Sequence, residues 1–254
     1  MRLTPFLLTV TLFASSLPTV AAQSQDRGRP SLAQFDEAVA QGRRVMRQYC
    51  ALTQEAIGAR EEDTTQQRAD ALKALRETRT RWDAIQTQYA ARPPAEYAHD
   101  RDFAGRLQDI ADAMEDMERA LVVREPRRSF RSCGYACGLF VAMHEDNGLE
   151  YPLDKLFHLR KELKSAQTLL AAKGAHAVRG RIGSLLAKRD AVLASPAHFA
   201  SGGPGVTEYQ QAVRDLSRAL DELALAAARE DTSGVEKGLV QCSQLANKAY
   251  GLAL

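Results

Sequence analysis

The chain has 254 residues, and its 34 lysines and arginines nearly balance 32 aspartates and glutamates, so the formal net charge is only +2. A charge this small creates no field that would favour nucleic acid or an anionic membrane as a partner. The length is sufficient to bury one large core or two modest ones. Composition therefore argues against a nucleic-acid-binding protein and favours an ordinary globular one.

The first 22 residues read as a secretory signal peptide. Arg2 gives a positive start, residues 5–13 form an apolar run, and Val20-Ala21-Ala22 is a small-residue cleavage site. The apolar run is shorter than the roughly 20 residues that a membrane-spanning helix needs. We expect cleavage at this site, no membrane insertion afterwards, and a periplasmic or secreted protein; a retained N-terminal anchor is the alternative. The polar residues 23–30 are a predicted flexible linker.

Apolar residues then recur with the spacing of amphipathic helices. Ser31 is a good N-cap for the first helix, and Pro126 suits the first turn of the fourth. The predicted spans of the first half, in chain order, are 32 to about 57, 63 or 64 to 92, about 103 to 121, and 126 to about 147. The Asn147-Gly148 pair is a typical end for the last of these.

The second half has the same plan. Pro152 opens a helix that Gly174 ends, and residues 195–205, with two prolines and three glycines, form the clearest predicted loop. The predicted spans are 152–173, about 175 to 193, a helix capped by Thr207 that runs to about 227, and a last helix after a turn at residues 231–233.

We found no period-two alternation of useful length, so the predicted fold class is all-α. Short connections favour antiparallel packing of about eight helices, in two four-helix halves at 31–148 and 149–254. A weak internal repeat supports this division. A shift of 106 residues superposes four apolar positions of one helix on four of another: Leu107, Ile110, Met114 and Met117 on Val213, Leu216, Leu220 and Leu223. Dropping one residue in the next turn superposes Cys137 on Cys242. Either a true duplication or the shared heptad spacing of the helices explains the match.

The fourth predicted helix carries thiols and an imidazole on its apolar face. Phe130, Cys133, Cys137, Phe140 and His144 recur at steps of three and four. His144, however, lies seven residues beyond Cys137, or about 10.5 Å along a straight helix. Zinc–ligand bonds of roughly 2.0–2.3 Å cannot bridge that gap, so we predict no single metal site here.

Four cysteines in an oxidising compartment predict disulfides. Cys133 and Cys137 are unsuited to pair with each other, because Cβ atoms at i and i+4 on a helix lie about 5–6 Å apart. Cys50 and Cys133 lie at the same end of an up-down-up-down bundle. Cys50–Cys133 is therefore the preferred bridge and Cys50–Cys137 the next. Cys242 pairs with the remaining thiol if the halves pack closely, and otherwise is a buried free cysteine.

Several other side chains on these helices have a structural interpretation and a functional alternative. We expect His144 to be a polar helix end beside Glu145 and Asp146, and Met46 to fill the core. Four cations surround the start of the fourth predicted helix: Arg124, Arg127, Arg128 and Arg131. They form either a solvated basic turn or an anion site at the helix N-terminus.

The signal peptide, the long antiparallel helices and the cysteine in the last helix of each half resemble the exported haem-binding four-helix bundles, of the cytochrome c-prime and soluble b-type kinds. Residues 223–250, with their alanine-rich helix and Cys242, carry the likeness most clearly. The chain lacks the C-x-x-C-H motif, so a covalent haem is excluded. The resemblance implies, as the remaining possibility, a non-covalent haem held by Met46 and His144.

We expect an exported, non-catalytic helical-bundle protein that acts by binding or assembly with a protein or small-molecule partner. The sequence contains no recognisable nucleophile arrangement and no glycine-rich phosphate loop after a strand. One alternative is a haem- or metal-binding bundle that uses the Cys133, Cys137 and His144 face for electron transfer or metal handling. The other is a thiol-redox protein.

Overall fold

The computed structural model describes residues 29–60, 64–195 and 205–253. The predicted signal peptide, most of the linker, and residues 196–204 of the predicted loop lie outside these ranges. The helices are α1 Leu32–Glu55, α2 Thr65–Tyr89, α3 Phe103–Val122, α4 Pro126–Glu145, α5 Pro152–Lys173, α6 Ala175–Val178, α7 Ile182–Ala194, α8 Val206–Ala228 and α9 Thr232–Leu252. No strand occurs within the described ranges, so the all-α prediction is confirmed.

The first half, α1 to α4, is a four-helix arrangement around an aromatic core. Consecutive helices pack on each other, and α1 also packs on α4. Seven buried aromatic side chains fill the interior: Phe35, Tyr49, Trp82, Tyr89, Tyr97, Phe103 and Phe140. The Trp82 ring meets Phe140 edge-on at 5.3 Å between centroids, and its Nε1 donates to the carbonyl of Leu107 at 2.9 Å. This core ties α2 to α3 and α4.

The second half, α5 to α9, repeats the arrangement with smaller side chains. Helix α5 packs on α7 and α9, and α8 packs on α7 and α9. Leucine, alanine and valine dominate the buried cluster, in which Tyr209 and Tyr250 are the aromatic members among the described residues. Close helix–helix packing is therefore concentrated within each half, and longer side chains connect the halves.

The turns between α3 and α4 and between α8 and α9 have the same backbone geometry. Arg124 and Glu230, which are 106 residues apart, both have a left-handed conformation, with φ of 63° and 57°. In the first turn the amide of Glu125 donates to the carbonyl of Ala120 at 2.8 Å. In the second the amide of Asp231 donates to Ala226 at 3.0 Å. The repeat thus extends to the hydrogen bonds that end the helices.

Burial follows the same shift of 106 residues across α4 and α9. The buried pairs are Ser129 and Val235, Cys133 and Leu239, Ala136 and Cys242, Phe140 and Ala246, Met143 and Ala249, and His144 and Tyr250. No residue needs to be dropped in the turn. The predicted superposition of Cys137 on Cys242 is therefore wrong, because the equivalent of Cys242 is Ala136. Matching one cysteine to the other shifted the sequence alignment by one residue, whereas the buried positions of α4 and α9 give the correct register.

Helices α1 and α5 correspond at a shift of 117 residues. Five of the buried positions of α1 have buried equivalents in α5: Phe35 and Pro152, Val39 and Leu156, Gly42 and Leu159, Met46 and Leu163, and Tyr49 and Ala166. The same shift places Arg43 of α1 at the position of Arg160 of α5.

Several helix ends differ from the sequence predictions. Ser31 forms the expected N-cap, with a capping box to Gln34. The helix predicted from 175 to 193 is divided into α6, a 3₁₀ turn at Arg179–Arg181, and α7. Two glycines near the break, at 180 and 183, lower helix propensity there. The predicted turn at 231–233 is only the N-cap Asp231, which accepts from the amide of Gly234 at 3.0 Å. Helix α8 begins at Val206 instead of after a Thr207 cap.

Candidate functional site

The predicted apolar face of α4 divides between the core and the boundary of the two halves. Cys133, Phe140 and His144 are buried, whereas Phe130 and Cys137 are half-buried. The ring of Phe130 lies beneath Lys164 of α5, and Cys137 interacts electrostatically with Arg160 of α5, so the face is not a single seam of the first bundle. We call the region where α1 and α4 meet α5 and α9 the junction.

The cysteines pair as the helix order predicted. Cys50 and Cys133 form a disulfide with their Cα atoms 6.1 Å apart, which confirms the preferred bridge. Cys137 is a half-buried free thiol and Cys242 a fully buried one. Burial raises the pKa of Cys242 to about 12. Cys242 is therefore the inert structural thiol, and Cys137 the accessible one.

His144 is not the polar helix end that the sequence predicted. It is 4 % exposed, and its Nδ1 lies 2.7 Å from Oδ2 of Asp154, which is 1 % exposed. Its ring also packs on Tyr151 with 4.3 Å between centroids. The partner Asp154 lies in α5, in the other half, and a pairing across the α4–α5 connection leaves no periodic signal in the sequence. His144 is thus a buried contact between the halves.

The residues proposed for haem or metal binding do not converge. Met46 is buried in the first core, as its core interpretation predicted, and Cys133 is committed to its disulfide. His144 directs Nδ1 at Asp154. Within the ranges that the structure describes, no three His, Cys, Asp or Glu side chains form a group that could hold a metal ion.

The four arginines around the start of α4 have different surroundings. Arg128 contacts Asp116 at 2.6 Å and Glu125 at 3.5 Å, so its charge is compensated. Arg127 and Arg131 are exposed, and Arg124 occupies the left-handed turn position. All four of these arginines are exposed to solvent.

Arg43 is the most unusual charged residue of the described chain, because its side chain is 3 % exposed and has no carboxylate in ion-pair contact. Its Nη2 donates to the hydroxyl of Tyr250 at 3.0 Å, and its guanidinium carbon lies 4.8 Å from the centroid of Phe140. Its Nε is buried without a hydrogen-bond partner among the described residues. A buried charge normally requires both a counter-charge and satisfied hydrogen bonds.

Two further guanidiniums adjoin this pair. Arg160 of α5 stacks on the ring of Tyr250, the residue whose hydroxyl accepts from Arg43. The guanidinium carbon of Arg160 lies 4.2 Å from the centroid of that ring. Its Nε donates to Oδ1 of Asn247 at 2.7 Å, and Nη2 of Arg47 donates to the carbonyl of Asn247 at 3.4 Å. We call Arg43, Arg47 and Arg160 the guanidinium cluster.

A glycine allows Arg47 to take this place. A Cβ atom added at Gly251 would collide with the guanidinium of Arg47. The C-terminal turn of α9 is therefore shaped to let Arg47 lie directly against its backbone. This close approach places Arg47 beside the last turn of α9, which also contains Tyr250.

No member of the cluster makes an ion pair with a carboxylate in the described part of the chain. Burial would lower the pKa of Arg43, but charge interactions with Tyr250, Cys137 and Asp154 raise it. Burial lowers the pKa of Arg160, and the charge of Arg47 adds to that effect. Asp154, the carboxylate whose charge acts on Arg43, is hydrogen-bonded to His144. Positive charge at the junction is therefore only partly compensated.

Further polar contacts join the two halves. Tyr151 donates from its hydroxyl to Asp36 at 2.7 Å, and His158 lies 3.0 Å from Glu145; both contacts join the two halves. Lys164 lies over the ring of Phe130 at 5.5 Å. Lys164 is the equivalent of Arg47 at the shift of 117 residues, so the junction carries cations at matching positions of α1 and α5.

Sequence reasoning did not single out the cluster, because arginines in amphipathic helices usually lie on the solvated face. One signal was available. The shift that aligns the buried positions of α1 with those of α5 also aligns Arg43 with Arg160, and both fall at the edge of the buried stripe. Such a pair is expected to meet where two similar halves face each other.

Comparison with protein-family models, with curated protein sequences and with solved structures finds no match for this chain. A scan of the described helices finds none that is both long and apolar enough to cross a membrane.

Proposed function

We propose that this chain is an exported, non-catalytic helical-bundle protein that acts by binding a negatively charged ligand or partner at the junction. One observation supports this proposal above all. Three guanidiniums from two helices lie together without a carboxylate in ion-pair contact among the described residues. Arginine is the side chain best suited to recognise carboxylate and phosphate groups, because its planar donors pair with two oxygens at once.

The energetics favour a ligand over a purely structural role. Removing a guanidinium from water costs several kcal/mol unless a counter-charge and hydrogen bonds compensate it. Stacking on an aromatic ring returns only about 0.5–2 kcal/mol. An incoming anion would offset the remaining cost for Arg43, and that gain would appear as binding affinity.

The frame around the cluster also suits binding. Arg43 is fixed by Tyr250 and Phe140, and Arg160 by Tyr250 and Asn247. Donors that are already fixed lose little conformational entropy when a ligand arrives. The two halves therefore act as a scaffold that holds the guanidiniums in place.

Binding is tested by comparing two double variants of equal charge change. R47Q/R160Q removes two cluster charges, and R44Q/K161Q removes two exposed charges from the same helices. We expect the mature chain to bind anionic probes, namely inorganic phosphate, sulfate and polyglutamate, and R47Q/R160Q to lose this binding while the control retains it. Equal binding by both variants, or none by the native chain, would refute the proposal.

Export has its own test. Intact-mass measurement of the protein purified from an exporting host should give a chain that begins at Gln23. A mass that retains residues 1–22 would show that the segment is not cleaved.

Thiol-redox activity is the second candidate, because the free thiol of Cys137 lies one helical turn from the Cys50–Cys133 bridge. In an exchange, the Cys137 thiolate would attack the sulfur of Cys50, form a Cys50–Cys137 bond and release Cys133 as a thiolate, with no external oxidant. Peptide mapping after rapid acid quenching should then find both bridges. A single Cys50–Cys133 bridge at every pH from 7 to 9 would remove this candidate.

A further inference from the structure

We infer that the guanidinium cluster and Tyr250 bind a small tetrahedral oxyanion carrying two negative charges, of the phosphate or sulfate class. This inference rests on the proposed function and specifies its ligand. The site lies between α1, α5 and α9, and it is distinct from the basic turn at the start of α4, where Arg128 is compensated by Asp116.

Two donors at the centre of the cluster have no acceptor among the described residues. One is Nε of Arg43, which is buried and unpartnered. The other is the hydroxyl of Tyr250: its oxygen accepts from Arg43, so its own proton remains to be donated. Burial raises the pKa of Tyr250, which keeps that proton on the phenol. Buried donors without acceptors are costly, so an acceptor is expected at this point.

Charge specifies an anion with two negative charges. The cluster brings three positive charges, and Asp154 is the carboxylate close enough to influence Arg43. Because Asp154 is itself hydrogen-bonded to His144, it offsets at most one of these charges, so at least two have no carboxylate partner among the described residues. A single carboxylate ligand would neutralise only one of them, whereas a phosphate or sulfate dianion would neutralise both.

The distribution of the donors over three helices favours a tetrahedral ion over a planar one. They belong to Arg43 and Arg47 of α1, Arg160 of α5 and Tyr250 of α9. Oxygens that point in four directions can accept from three helices at once, whereas the two oxygens of a carboxylate share one plane.

The cluster also offers a way in from solvent. Arg43 is buried, Arg160 and Cys137 are half-buried, and Arg47 is exposed. This gradation allows an ion to be captured at Arg47 and transferred inward to Arg43. Cys137 interacts electrostatically with both Arg43 and Arg160, so its thiol lies beside the proposed position of the ion.

The test is calorimetric titration of the mature, disulfide-bonded protein with inorganic phosphate at constant ionic strength. Arg160→Gln and Tyr250→Phe should each weaken binding by about tenfold or more, the usual effect of losing a hydrogen bond to a charged group. Arg44→Gln, an exposed neighbour in α1, should leave binding unchanged. Sulfate should compete with phosphate, and acetate should not.

The outcomes separate this inference from the proposed function. If polyglutamate binds at the cluster but phosphate and sulfate do not, the inference fails and the proposed function stands. If none of the three binds, both fail. If phosphate binds equally to the native chain, Arg160→Gln and Tyr250→Phe, the ion is held elsewhere and the inference is refuted.

The rate of Cys137 alkylation provides a second test that is independent of calorimetry. Saturating phosphate should slow alkylation of Cys137 by iodoacetamide in the folded native protein, and it should have no such effect in Arg160→Gln. Unchanged alkylation of Cys137 in phosphate-saturated native protein would place the ion away from the cluster.

Discussion

The two halves of this molecule share a backbone plan but achieve their stability differently. Both end their third long helix at a left-handed residue, Arg124 or Glu230, and both bury the same positions of the following helix. The first half fills its interior with aromatic rings and adds a disulfide, whereas the second uses leucine and alanine and has none among its described residues. The comparison teaches that the pattern of buried positions specifies this arrangement, and that many side-chain choices satisfy it.

Removing the disulfide should give the largest difference between the halves. The double variant C50S/C133S opens a loop defined by a sequence separation of 83 residues. On the chain-entropy argument it should lose about 4.5 kcal/mol in the free energy of unfolding of the first half. Urea unfolding followed by Trp82 fluorescence measures this loss. The control C137S/C242S removes two thiols without a bridge, and an equal loss in that control would contradict the account.

Truncating Trp82 should have the next largest effect. Trp82→Ala removes a buried ring and the hydrogen bond that its Nε1 donates to the carbonyl of Leu107, so we expect a loss of about 4 kcal/mol. In the second half, Arg189 of α7 makes ion pairs with Asp190 and Asp221 that are partly exposed. Arg189→Ala should therefore cost no more than about 1 kcal/mol. Comparable losses by circular dichroism in the two variants would mean that the halves are not stabilised differently.

The two left-handed turns should respond alike. Arg124→Gly and Glu230→Gly each relieve the conformational strain of a non-glycine residue at positive φ, so each should gain about 0.5–1 kcal/mol. Val123 precedes the first turn with φ of −84° and is exposed, so Val123→Gly should instead lose a similar amount. Thermal unfolding of the three variants tests whether the turns are equivalent; a gain in only one turn would separate them.

Acid should lower the free energy of unfolding of the first half selectively, and by less than the substitutions above. Hydrogen bonds from Ser132 and Arg128 lower the pKa of Asp116 below its ordinary value of 3.8. A carboxyl with a lowered folded-state pKa contributes stability that is complete above the unfolded-state pKa and disappears as the pH falls through the folded-state pKa. The loss should thus occur as the pH falls below about 4. Asp116→Asn should flatten this part of the pH profile.

The equivalent residue of the second half provides the control. Glu222 is exposed, and the positions equivalent to Ser132 and Arg128 are Gly238 and Gly234. Glu222→Gln should therefore leave the acid profile unchanged. A profile altered equally by both substitutions would show that the α3–α4 hydrogen bonds are not its origin.

Periodicity and helix order accounted for much of this structure. The apolar spacing predicted the eight long helices, and their antiparallel order was enough to select Cys50–Cys133. The break near Gly180 was missed because its flanking apolar residues keep a helical spacing. The alignment of Cys137 with Cys242 failed because matching thiols was preferred to matching burial.

The candidate site was less predictable for a physical reason. His144 pairs with Asp154, and Arg43 with Tyr250, across the boundary between halves. Periodicity reports which face of a helix is apolar, but it does not report which polar residue at the edge of that face meets another element. Those pairings depend on the packing of one half against the other.

The claim that the guanidinium cluster binds an oxyanion is tested most directly by crystals of the mature protein soaked in tungstate, a heavy tetrahedral dianion. The anomalous difference map should show a peak within hydrogen-bonding distance of the Arg160 guanidinium and the Tyr250 hydroxyl, and phosphate should abolish it. A map with ordered side chains at the cluster and tungstate only elsewhere would contradict the claim.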